Sequence, residues 1–152
     1  SADSKSGIGA GIYDRETTAA VYDHLLETAG DLLRAGLNVI VDASFLSASH
    51  RRLASQTAED SGAGYVLLKT DASESELRQR LRARAQRGDV SEADVGVLHH
   101  QLESADPLAA VEADATISVD TEGDIDIPAL AVEIQRVTRV ASGFRDLLPL
   151  QG

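Results

Sequence analysis

A chain of 152 residues with 43% apolar and 26% charged side chains has the size and composition of one domain around one sizeable core, not of a disordered segment. With no cysteine, it has no disulfide, no thiolate metal site and no cysteine nucleophile, which fits a reducing cytoplasm. The formal net charge of −11 argues against nucleic acid as a partner, because a broad nucleic-acid surface needs a basic stripe.

With only 3 Tyr and 2 Phe, the core must be aliphatic. No run approaches the roughly 18 apolar residues of a membrane span, and no signal-peptide pattern opens the chain. The absence of methionine reads as a chain that does not begin at its own start codon, a fragment or a processed piece. The arginines are unevenly placed, with 7 of the 12 between Arg51 and Arg87 and 5 of those between Arg78 and Arg87. In an acidic protein such a cluster is either a solvated helix face or a local anion site.

In chain order, Ser1 to Gly11 is small, polar and glycine-rich and reads as a flexible loop. Asp14 caps a helix to about Arg34, with Leu25, Leu26, Ala29, Leu32 and Leu33 as its apolar stripe and Gly36 as its stop. Val39-Ile40-Val41 is then a short, wholly β-branched run, the mark of a strand covered on both faces. A helix follows from Ser49 to about Asp60, stopped by Ser61 and Gly62, and Tyr65 to Leu68 is a second buried strand. Ser73 and Glu76 have capping-box spacing for a helix whose Leu77 and Leu81 face the core. Gly88 breaks it, Ser91 with Asp94 starts another to about Glu103, and Ala115 to Val119 is a third strand. Pro128 suits the first turn of a last helix to about Val140, and Ser142 to Gly152 is a weakly determined tail. Strands alternating with helices predict an α/β fold with a parallel sheet, in a single domain spanning 1–152.

Ligands of open parallel sheets sit beyond the carboxyl ends of the strands. Asp42 and Ser44 follow the first strand, Thr70 and Asp71 the second, Asp120 and Thr121 the third. A carboxylate with a hydroxyl two residues on orients a substrate hydroxyl or holds water on magnesium; equally, Asp and Ser are common turn formers. Arg80, Arg84 and Arg87 share one flank of their helix, and Arg78 and Arg82 another. They repel one another unless a phosphate or neighbouring carboxylates compensate them. His99 and His100 are adjacent, point about 100° apart on a helix and do not chelate together. Gly7-Ile8-Gly9-Ala10-Gly11 follows no strand and is no dinucleotide fingerprint.

Leu33-Arg34-Ala35-Gly36, then Val39 to Leu46, then His50-Arg51, then Leu77 to Arg84, then Ser91 to Asp94 with Val97, Leu98 and Gln101, then Val119-Asp120-Thr121 make an ordered set. This set resembles the AAA-type P-loop kinase-like domain often fused behind an aminoglycoside-phosphotransferase-like domain in bacteria, and more distantly the polynucleotide-kinase and gluconate-kinase types. The resemblance covers about Ile12 to Arg136. It implies a three-layer P-loop kinase fold, here incomplete, with three strands and about five helices. It implies ATP and Mg2+ as cofactors and a small-molecule hydroxyl as phosphate acceptor. Asp42 and Ser44 match the Asp-x-Ser/Thr near the magnesium and the acceptor, so Asp42 takes a catalytic and a metal-binding role and Ser44 a substrate-binding one. Arg51 matches the arginine opening the next helix, on the substrate side; Arg80 and Arg84 match the catalytic lid pair, with Arg87 following toward the nucleotide. Asp120 to Glu122 match the segment beside adenine.

The family opens with a strand, G-x-x-x-x-G-K-[ST], a helix and a second strand, and none of these is in this chain. Without the lysine and the nest of backbone amides there is no cradle for the β- and γ-phosphates, so this chain by itself is expected to be inactive. An upstream or fused P-loop segment would then be its partner; a non-catalytic remnant or interaction domain is the other reading. The resemblance also places the missing first strand between Val39–Val41 and Tyr65–Leu68. Those two strands must then pair directly, the geometrically simplest course, or recruit a strand from the termini, or borrow one across a homodimer.

Overall fold

The computed structural model describes residues 15–85 and 104–143. They fall into two compact units, residues 15–44 with 49–63, and residues 45–48 with 64–85 and 104–143. The loop expected over Ser1 to Gly11, the Asp14 cap, Arg87, the helix expected over Ser91 to Glu103 and the pair His99-His100 lie outside the described residues.

The first unit holds α1 (Arg15–Arg34) and nearly all of α2 (Ala48–Asp60). Both helices stop at the glycines expected from the sequence, by the same device. Gly36 has φ +82°, its N–H donates to Leu33 O at 2.9 Å, and the Leu37 N–H donates to Leu32 O at 3.1 Å. Gly62 has φ +72°, its N–H donates to Glu59 O at 3.0 Å, and the Ala63 N–H donates to Ala58 O at 2.9 Å. These are Schellman caps, and the left-handed residue each requires carries no Cβ to clash.

The buried face of α1 is Tyr22, Leu26 and Ala29. Leu25 and Leu32, expected in the stripe, are exposed, because they lie to one side of the line that i, i+4 and i+7 draw along the helix. From α2, Ala58 and Arg51 are buried.

Val39-Ile40-Val41 corrects the expected strand. This run carries no ladder among the described residues, and Ile40 is 94% exposed. Direct pairing with Tyr65–Leu68, the simplest of the three courses considered, is not formed among the described residues, whose sheet has two strands. β-branched residues favour a pleated surface only where neighbours pack on it, so composition alone does not make a strand.

The second unit is built on β1 (Leu67–Asp71) and β2 (Thr116–Asp120), paired in parallel with Leu67 opposite Thr116 and Asp71 opposite Asp120. β1 begins two residues later than Tyr65 and takes in Lys69, Thr70 and Asp71, because its ladder opens where the Leu67 N–H donates to Ala115 O at 2.8 Å. Between the strands come α3 (Glu74–Ala85) and the single turn α4 (Ala110–Ala113), and α5 (Ile127–Gly143) closes the unit. Ile117 and Val119 from β2 and Val137 from α5 form its core, with Val66, Leu130 and Ile134 packed against them. Gly64 passes close beside α5; a Cβ there would meet Thr138 O at 3.0 Å. Among the described residues no helix is long and apolar enough to cross a membrane.

Candidate active site

The residues singled out by the sequence fall into two clusters, one in each unit. In the first, Asp42 and Ser44 are exposed and Arg51 is 4% exposed. The Ser44 hydroxyl does not hang free: its Oγ lies 3.2 Å from the Tyr22 hydroxyl, brought to it from α1. The Tyr22 ring in turn stacks on His50 of α2, with centroids 3.9 Å apart and planes 13° from parallel. Directly after Ser44, Phe45 adopts φ +44°. A bulky residue in the left-handed region costs about 1 to 3 kcal/mol, and such strain collects at ligand sites and switches. Neither Tyr22 nor His50 carried a sequence signal for a role at Ser44, since the contact joins residues 22 apart.

The second cluster gathers at the carboxyl ends of β1 and β2, where Asp71 and Asp120 stand side by side in register. Thr121 is tied to β1 twice, its N–H donating to Asp71 O at 2.9 Å and its hydroxyl to the same oxygen at 3.0 Å. Arg80 reaches across from α3: Nη1 donates to Thr121 Oγ1 at 3.1 Å, Nη2 to the Thr121 carbonyl, and Nε to Glu76 Oε1 at 2.8 Å. The structure thus joins the expected lid arginine to the expected nucleobase loop. A guanidinium has five N–H donors, so two of Arg80's are unused among the described residues.

Glu122 completes the tie. Its N–H donates to Asp120 Oδ1 at 2.9 Å, and its carboxylate accepts the Ser73 backbone N–H. That backbone bond first, then the Ser73 hydroxyl, and last the Arg80 charge hold the Glu122 carboxyl below its ordinary value, against an opposing cost of burial. A depressed carboxyl strengthens its contact above the unfolded value and loses that advantage as the pH falls through the folded one, so the tie is intact at neutral pH. The expected capping box is therefore half formed. The Ser73 hydroxyl accepts the Glu76 N–H at 3.3 Å, but the Glu76 carboxylate turns to Arg80 and Glu122 takes its place on Ser73.

Two of the arginines on α3 are compensated by neighbouring carboxylates, Arg78 by Glu74 at 2.6 Å and Arg80 by Glu76 at 2.8 Å. Both pairs have the i, i+4 spacing visible in the sequence. Arg82 and Arg84 are exposed and have no carboxylate partner among the described residues. No group of three or more His, Asp or Glu that could hold a metal ion occurs among the described residues. A groove of about 370 Å³ between α1 and α2, lined by Asp23, Leu26, Glu27, Leu53 and Asp60 among others, holds none of the expected site residues.

Parallel strands that end in paired aspartates, with an arginine-bearing helix tied to the loop beyond them, make an α/β arrangement consistent with the P-loop kinase-like class. A family model described as an AAA domain matches residues 2–108. The chain belongs to that family of P-loop kinase-like AAA domains. The match takes in Asp42, Ser44, Arg51, Arg80 and Arg84 and ends before β2 and Thr121. No curated protein and no solved structure gives a match.

Proposed function

We propose that this chain supplies the substrate and lid portion of an ATP-dependent phosphotransferase acting on a small-molecule hydroxyl, with the P-loop contributed by an upstream or fused segment. The observation that carries this reading is Asp42, an exposed carboxylate two residues before a serine hydroxyl already anchored by Tyr22, in a P-loop kinase-like AAA domain.

In this reading Asp42 orients the acceptor hydroxyl and takes its proton as the oxygen attacks, while Ser44 fixes the acceptor's position. Arg51, almost wholly buried, supports the substrate side from within. The donor set of α3 fits phosphate, since among the described residues Arg84 has no carboxylate partner and Arg80 keeps two N–H groups unused. Arg84 stabilises charge on the phosphoryl oxygens, and the sequence pattern suggests the same class of contact for Arg87. Thr121 spends its hydroxyl and carbonyl inside the loop and so shapes the wall for the base, with the Asp120 carboxylate beside it. Bound ATP with magnesium would supply the phosphoryl group and the counter-charge, and Asp42 would hold the ion.

The test is transfer from γ-labelled ATP by the intact parent protein to a panel of sugars, sugar acids, polyols and nucleosides. Label in at least one acceptor is expected. A parent protein that binds ATP and labels none would favour a non-catalytic domain that keeps the kinase scaffold.

A further inference from the structure

Tyr22 is 6% exposed, yet it is a tyrosine on a helix face otherwise made of Leu26 and Ala29. A buried phenol hydroxyl needs a partner, and this one has the Ser44 Oγ at 3.2 Å. Either oxygen is able to donate across that distance, but a phenol is the stronger donor. With Tyr22 donating, Ser44 keeps its own O–H for something else. The ring is held on two sides, by the core face of α1 and by the His50 ring of α2 stacked at 3.9 Å. A serine on an exposed loop would otherwise have a free rotor, and freezing it costs entropy each time a ligand binds.

We propose that Tyr22 is a positioning residue of the acceptor side, whose hydroxyl fixes the direction in which Ser44 presents its O–H to the ligand. The inference rests on the phosphotransferase reading and adds to it a residue that positions the acceptor. Ser44 then donates and the Asp42 carboxylate, two residues earlier, accepts. An alcohol, with one O–H and two lone pairs, satisfies both at once. A carboxylate would be repelled by Asp42, and an ammonium group would leave the Ser44 proton without an acceptor.

The test uses Tyr22→Phe in the parent protein, which keeps the ring and removes the hydroxyl alone. The acceptor is the sugar, polyol or nucleoside that the wild type labels. Loss of one orienting hydrogen bond is expected to raise the KM for that acceptor about three- to tenfold, with the KM for ATP unchanged. Ser44→Ala is expected to raise it similarly, and the double variant no further than either alone, because the two hydroxyls act as one unit. Proton resonances of the His50 ring, shifted by the stacked Tyr22 ring, are expected to stay shifted in Tyr22→Phe. An unchanged acceptor KM, additive effects in the double variant, or a rise in KM accompanied by loss of the His50 shift would each overturn the proposal. A wild-type parent that labels no acceptor sinks the phosphotransferase reading itself, and this inference with it. Activity in the wild type with an indifferent Tyr22→Phe sinks this inference alone.

Discussion

Replacing Arg84 with alanine is expected to lower kcat of the parent phosphotransferase by about a hundred- to a thousandfold, the scale of a lost electrostatic donor to a transferring group. The expectation follows from how charge is distributed along α3. Arg78 and Arg80 are spoken for by Glu74 and Glu76 one turn back, and Arg80 also gives two of its N–H groups to Thr121. Arg84 has no such partner among the described residues. It is also exposed, so its guanidinium is fully hydrated until a ligand excludes water, when the same charge becomes worth several times more. An interaction of that kind acts on kcat more than on the KM for ATP. Arg78→Ala is the natural control, because it removes the same charge from the same helix at a residue whose guanidinium is paired with Glu74. Steady-state and single-turnover rates for the two variants check the prediction; equal kcat in both would show the arginines of α3 to be a solvated face.

Arg51→Ala is expected to cost about 2 to 4 kcal/mol of stability, through lost packing of the side-chain stem and lost charge-assisted hydrogen bonds. Arg51 is 4% exposed, the one buried charged side chain among the described residues, and it is engaged by its neighbours. A guanidinium is not taken out of water without partners, so it is part of the structure around α2 whatever else it does. Urea denaturation followed by circular dichroism measures the loss. Arg51→Lys is expected to recover only part of it, since lysine keeps the charge but not the planar fork of donors. Unchanged stability with a raised acceptor KM would return Arg51 to a purely ligand-binding role.

What was legible in the sequence was what local chemistry decides. Gly36 and Gly62 end their helices because each cap is written within six residues, and the run from Thr116 to Val119 lies within the strand expected there. Val39 to Val41 is the opposite case. A strand exists only where a neighbour supplies its ladder, and that neighbour is not a property of three β-branched residues. The candidate site divides the same way. Arg78 and Arg80 stand four residues after glutamates, so their ion pairs were visible in the spacing. Contacts that cross the fold, Arg80 to Thr121 over 41 residues, Ser73 to Glu122 over 49 and Tyr22 to Ser44 over 22, had no local signature.

The role of Asp42 is the point on which the phosphotransferase reading turns, and Asp42→Asn in the parent protein tests it most directly. The substitution keeps size and shape while removing the group that would take the acceptor's proton. The measurement is kcat for labelled transfer beside the affinity for ATP–magnesium, on the same preparation. The expected result is a fall in kcat of about a hundredfold or more, the usual scale for losing a general base, with ATP affinity changed far less. A near-normal kcat would contradict it and leave Asp42 as a turn residue after Val41.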